Sequence, residues 1–370
     1  TALSDKLIQN PHIDYVVRGE GEKPLVSIIK HLSGDNNNDM KGVMSKQRRT
    51  CDYDLIEDIN TIPIPNYDLL ELGKEWYFAQ EGWGRKTYPD FYADKDAKYR
   101  TLAFLHSRGC PYQCIFFSIH VVHGRKVREK SLDSIRKELA FYKKEYGINR
   151  ILANDDTFNF SKERTIKILD MIAEFDMELV LPNNISMRVL DSDILKGFKK
   201  TKTKSLHIAI ESGNQFIQDK VMKKRLNLDD VKRKVYLLRE FDFWVRAYWV
   251  LGMPGETYQT IQDTVNYASE LPVDWHVFHM ATPLIGSEMF KIAKEQGYIS
   301  TDNQSNIHYQ GETMNVLQND GKSIKEIYDN ANIRVNFLEN YNMKHGYYER
   351  AIGAFQDVLR NYPFHTVALS

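Results

Sequence analysis

Three residues separate Cys110 from Cys114 in "SRGCPYQCIFFS" (Ser107 to Ser118), and after two more intervening residues the position where a third thiolate would be expected is Phe117. Cysteine thiolates are the ligands that soft metal ions and iron–sulfur centres select. A cysteine pair alone is equally explained as two small buried hydrophobes. The loop around this pair argues for ligation: Gly109 and Pro111 bend it, and polar and aromatic residues lie between the thiols, which suits convergence on one metal. His120 and His123 follow. Histidine is a common metal ligand, and His120, three residues past the vacant position, is the candidate substitute, although a polar loop histidine more often binds nothing. The basic run "HGRKVREK" reads as a solvated turn that leads into a helix, or as a contact for a cofactor's anionic groups.

Further candidates recur downstream. "NDDTFN" holds Asp155 and Asp156, "SMRVLD" holds Arg188, "IAIESGNQ" holds Glu211, Ser212 and Gly213, and "VLGMPGET" holds Gly252, Pro254 and Gly255. Taken singly, Arg188 or Glu211 is an ordinary ion-pair partner and Pro254-Gly255 is a turn. Their order along the chain is what sets them apart.

That order follows from the elements that must position them. Apolar runs of β type occur at 101–106, 150–153, 178–181, 205–210, 244–251 and 275–281, with helical periodicity near 131–146, 161–175, 191–200, 214–223, 228–241 and 257–270. Ser131, Asp191 and Thr257 are good N-caps for three of these helices. Repeated strand–helix alternation predicts parallel strands with right-handed crossovers, in a barrel or an open wound sheet. In both, functional residues sit where strands end and loops begin, and the cysteine loop follows the first strand.

Outside this region, "NPHIDYVVRGEGEKPLVSIIKHLSG" reads as a strand over 13–17, a turn, and an amphipathic helix with Leu25, Ile28, Ile29 and Leu32 facing inward. One strand and one helix bury no core alone, so they should complete an α/β sheet supplied from elsewhere. "GDNNND" is a polar loop and "INTIPIPNYDLLEL" a proline-stiffened linker. Residues 74–100 read as an irregular cover, and the aromatic-rich stretches near 74–92 and 275–308 as candidate substrate-cavity lining or core. In the helical tail, Gly346, Tyr348, Ala351, Phe355 and Pro363 have the offsets of half a tetratricopeptide-type hairpin. The plainer reading is a helical cap.

The bulk composition excludes several classes. Fifty basic residues balance fifty acidic ones among 370, so no net field recruits nucleic acid or anionic membrane. No apolar run approaches the roughly 20 residues of a spanning helix, and no signal segment opens the chain. Three cysteines, Cys51 included, are too few for a disulfide framework and fit a cytoplasmic, reducing setting. The chain opens at Thr1 without methionine, which suggests that an upstream piece is absent.

Together, "CPYQCIFFSIHVVHGRKVREKS", the four downstream motifs and "TPLIGSEMF" resemble the radical S-adenosylmethionine superfamily, whose cluster motif is Cys-x3-Cys-x2-Cys. In their order they resemble its cobalamin-associated branch, and "DYVVRGEGE" followed by "IPIPNYDLL" resembles the end of that branch's cobalamin domain and its linker. The resemblance implies an α/β fold: a partial (β/α)6 TIM-type barrel over 101–300, an N-terminal remnant of a Rossmann-like cobalamin-binding domain over 1–60, a connecting segment over 61–100, and a tetratricopeptide-like helical tail over 301–370. It implies a four-iron–four-sulfur cluster on Cys110, Cys114 and a third ligand, with S-adenosylmethionine chelated to the open iron and cleaved reductively to a 5′-deoxyadenosyl radical. It also implies an electron donor such as flavodoxin or ferredoxin, frequent methyl transfer, and a small-molecule or otherwise unidentified substrate. Arg188 would then pair with the methionyl carboxylate. Asp155 or Asp156 would take the ammonium, Glu211 with Ser212 the ribose or amino group, and Gly252, Pro254 and Gly255 would let backbone approach adenine. Three departures stand out. Phe117 cannot ligate iron, so the alternative is a cluster-deficient binding module. No Asp-x-His-x-x-Gly run occurs, so cobalamin binds only if another segment supplies the missing part. Asp242 stands where relatives tend to have glycine.

Overall fold

The structure is a computed structural model that describes residues 3–35, 39–49, 52–70, 99–299, 314, 316–317 and 321–369. The irregular cover, Cys51, and parts of the polar loop, the linker and the second aromatic-rich stretch lie outside these residues.

Six parallel strands form the centre. β3 (Thr101–Phe104), β6 (Arg150–Ala153) and β7 (Glu178–Val180) make one three-stranded sheet; β8 (Ser205–Glu211), β9 (Trp244–Leu251) and β10 (Trp275–Met280) make another. A single parallel bridge between Ile185 and Ile208 joins them, so the strands follow chain order around a partial barrel. Two short antiparallel pairs stand outside it: β1 (Tyr15–Val17) with β2 (Val43–Ser45), and β4 (Ser107–Arg108) with β5 (Arg128–Glu129).

The strand sequences explain this arrangement. β6, β7 and β8 are buried at every position, as strands covered on both faces must be. The covering helices are α3 (Leu132–Tyr146), α4 (Lys162–Glu174), α5 (Ser192–Lys200), α6 (Leu228–Glu240) and α7 (Tyr258–Glu270). Ser131, Asp191 and Thr257 each cap a helix by accepting backbone N–H bonds. The expected helix near 214–223 is present in shorter form, with π-type hydrogen bonding over Ile217–Val221. Gln218 holds it by donating to the Ile210 and Ser212 carbonyls.

The N-terminal helix requires a correction. Glu22–Leu32 is helical, but Leu25, Ile29 and Leu32 are 56%, 55% and 68% exposed rather than inward. Pro24 is the residue it buries. The two-stranded β1–β2 sheet is too small to cover an eleven-residue amphipathic helix.

At the opposite end of the barrel, Asp274 is fully buried just before β10. It accepts from Arg350 Nε and Nη2 (2.7 Å each), Arg239 Nη1 (2.9 Å), Asn342 Nδ2 (3.0 Å) and Val245 N (2.8 Å). Arg350 lies on the helix Tyr348–Asn361, whose Ala354 packs on Trp244. The tail therefore covers the amino-terminal ends of β9 and β10.

Candidate functional site

The cysteine loop is held from below by consecutive aspartates at the end of β6. Asp155 Oδ1 accepts from His106 N (3.1 Å), Ser107 N (2.7 Å) and Ser107 Oγ (2.7 Å). Asp156 Oδ2 accepts from Gly109 N (2.7 Å) and meets His123 Nδ1 at 2.8 Å. Gly109 has φ +94°, and a Cβ there would lie 2.3 Å from the Lys126 carbonyl oxygen. Only glycine therefore serves at the residue before Cys110.

Beyond Cys110 the loop dives inward. Cys114, Ile115 and Phe116 are buried with Met222, Met253 and Met289, and Ile115 exchanges backbone bonds with Met222 and Met289. Burial pushes the Cys114 thiol up; Lys224 opposes this, and Glu211 adds to it. Cys110 is half-buried, and the Thr157 hydroxyl donates to its Sγ at 3.5 Å. Phe117 turns outward again and is 43% exposed, its ring centroid 4.4 Å from that of Phe116.

Cys110, Cys114, Phe117 and His120 line one cavity of about 340 Å³, together with Tyr112, Arg125, Asp156, Thr157, Asn183, Asn184, Ser186, Met187, Arg188 and Lys224. That size lies within the range of about 300–1,000 Å³ typical of small-ligand sites. Arg188 sits over the Tyr112 ring at 4.8 Å and donates to the Lys224 carbonyl. Lys224 pairs with the buried Glu211 at 3.0 Å. The structure thus brings Asp156 and Arg188 to the thiols, with Glu211 one residue behind. Asp155, Ser212, Gly252, Pro254 and Gly255 are not among the lining residues. Asp155 is occupied by the loop, and the Ser212 hydroxyl lies 3.1 Å from that of Thr264. Gly252, at φ +88°, and Met253 both donate to Glu256 Oε2 at 2.8 Å.

His120 reaches the cavity, but among the described residues no group of three or more His, Cys, Asp or Glu side chains could hold a metal ion. Burial, Arg125 and Lys291 hold its imidazole below the ordinary range. Two thiols with a phenyl ring in the third position do not fit a cluster that needs three thiolates.

Arg125 comes from the basic run and Tyr112 from between the thiols, whereas Asn183, Asn184 and Lys224 are lining residues that the sequence reading misses. The pair in "LPNNIS" carried a usable signal, two amides directly after a barrel strand. Lys224, in "MKKR", carried none, because such a run reads as solvated surface.

A parallel partial barrel with a two-thiol loop after its first strand, and a ligand-sized cavity at the carboxyl ends of its strands, defines a barrel protein whose functional site lies at the rim. Residues 104–268 match the model of the radical SAM superfamily. Over 303 residues the chain is 27% identical to an uncharacterized methyltransferase of Pyrococcus horikoshii, covering 79% of this chain and 61% of that one. Over 320 residues it is 23% identical to the cytidylyl-2-hydroxyethylphosphonate methyltransferase of Streptomyces wedmorensis, covering 80% and 59%. Its fold is shared by the radical S-adenosylmethionine methyltransferase TsrM of Kitasatospora setae, solved with cobalamin and a [4Fe-4S] cluster, at TM-score 0.58, 18% identity, and 81% and 57% coverage. Residues 104–268 therefore carry a radical SAM domain, and both curated relatives named above are methyltransferases by name. The chain spans less than two thirds of the length of the two curated relatives.

Proposed function

We propose that this chain is the S-adenosylmethionine-binding barrel of a methyltransferase-type radical SAM protein, with S-adenosylmethionine seated in the cavity beside the cysteine loop. One observation carries this reading: Cys110, Asp156 and Arg188, from loops that follow three different strands, meet around a single cavity of ligand size. The methyltransferase names of the relatives support the reaction class.

The roles follow from what each group has to offer. The Arg188 guanidinium pairs with the methionyl carboxylate, exchanging its bond to the Lys224 carbonyl for a charge-assisted one. Asp156 is the lining carboxylate and answers the ammonium. Asn183 and Asn184 supply amides to the adenine or ribose edge; Asn184 Oδ1 is buried without a partner. A family-type cluster, when bound, supplies an electron to the sulfonium. The two thiolates present do not fit such a cluster, and the binding roles above do not depend on it. Cobalamin enters this reading only as a group held by a further segment or chain. The second reading, a binding module without radical chemistry, is favoured by Phe117 itself.

Equilibrium dialysis with S-adenosylmethionine tests the proposal. The unmodified chain should bind it, and Arg188→Ala should weaken binding by about tenfold or more, the loss expected for one charged hydrogen bond. A folded chain that does not bind it refutes the proposal.

A further inference from the structure

Position 117 holds a side chain that cannot ligate iron, yet that side chain is not folded away. The Phe117 ring rests against Phe116 on one side, is 43% exposed and lines the cavity. Two of the protein's own cations at this cavity are engaged elsewhere: Arg188 over Tyr112, and Lys224 with Glu211. The Phe117 ring therefore borders whatever occupies the cavity. Aromatic faces attract cations, most strongly where water is excluded.

We infer that Phe117 makes this a cluster-independent site that selects the sulfonium form of its ligand through a cation–π contact. The inference rests on the reading of the cavity as an S-adenosylmethionine site and adds the basis of its selectivity. S-adenosylmethionine carries a sulfonium cation; S-adenosylhomocysteine carries a neutral thioether in the same place. The remaining groups of the two molecules are identical, so the charge at sulfur tells them apart, and Phe117 is the lining group whose share of that discrimination can be removed without changing the charge of the site. A thiolate at position 117 would be consumed by iron. The phenyl ring leaves the site able to bind with no metal present.

The test is calorimetric titration of the reduced, chelator-treated, iron-free chain with each ligand separately. The parent chain should bind S-adenosylmethionine more tightly than S-adenosylhomocysteine. Phe117→Leu, which keeps bulk and removes the π face, should lower that ratio by about fivefold, and Phe117→Trp, the stronger cation–π face, should raise it. Far-UV circular dichroism establishes that each variant is folded, and the Trp variant keeps the test open if the Leu variant is not. Equal affinities in the parent, or a ratio unmoved in both variants, overturns the inference and leaves the proposed site standing. A folded parent that binds neither ligand overturns both.

Discussion

Phe117 and Cys114 both work against a metal at the loop. Phe117 withholds a ligand, while burial raises the Cys114 thiol and so disfavours the thiolate that a metal needs. Phe117→Cys restores the third donor. After anaerobic reconstitution with iron and sulfide, that variant should hold about four irons per chain, and the parent markedly fewer. A reconstituted variant with no more iron than the parent would mean that the loop geometry, not the missing thiol, limits assembly. At this scale the sequence was informative where a residue's type and its place after a strand agreed, as for Cys110, Cys114, Asp156 and Arg188. It was silent on Lys224, whose position depends on the π-type hydrogen bonding over Ile217–Val221, a feature that no apolar periodicity encodes.

Among the elements, the β4–β5 pair and the turn before the N-terminal helix act as a clamp on the cysteine loop. Glu20, 3% exposed, accepts from Arg128 Nη1 (2.7 Å), Arg128 Nη2 (2.9 Å), Arg108 Nη1 (3.1 Å) and Ile56 N (2.6 Å). Arg128 Nη2 also donates to the His123 carbonyl at 2.8 Å. Burial raises the Glu20 carboxyl, but Arg128, the Ile56 N–H and Arg108 outweigh it and hold it below the ordinary value. Glu20→Ala would leave Arg128 buried and unpaired, and should cost about 3–5 kcal/mol in urea unfolding. Glu20→Gln, which keeps hydrogen bonding, should cost less; equal losses would show that the charge carries the whole effect and the hydrogen bonding none of it. The six barrel strands were legible because continuous or alternating apolar runs of their length have few other uses. The facing of the Glu22–Leu32 helix was not: its stripe, Leu25, Ile29 and Leu32, is amphipathic in sequence, but the described residues supply no sheet wide enough to receive it.

The whole molecule should lose stability on mild acidification. Burial lowers the imidazoles of His207 and His276 to about 3, and those of His106 and His279 also lie below the ordinary value. The unfolded chain takes up these protons from about pH 6.5 downward, whereas folded His207 and His276 wait until about 3. Their contribution is complete above about 6.5 and is lost progressively as pH falls toward 3. Glu256 works in the opposite sense. Burial raises its carboxyl to about 7, so the folded state binds its proton first, and its contribution improves between 7 and about 4.5. Several histidines against one carboxylate leave a net fall in Tm between pH 6.5 and 4, readable by thermal denaturation. His276→Gln, which retains an acceptor for Trp249 Nε1, should flatten that fall, and an unchanged slope would contradict the assignment.

The Glu20 clamp also bears on the order in which the protein folds. Glu20 and Arg128 are 108 residues apart in the chain, and closing so long a loop costs entropy before any bond repays it. Contacts of this span form late, after the local βα units have assembled. The cysteine loop is therefore finished last, and both thiols face solvent while the barrel is already taking shape. Refolding without reductant should accordingly trap Cys110 and Cys114 in oxidised forms before the clamp closes over them.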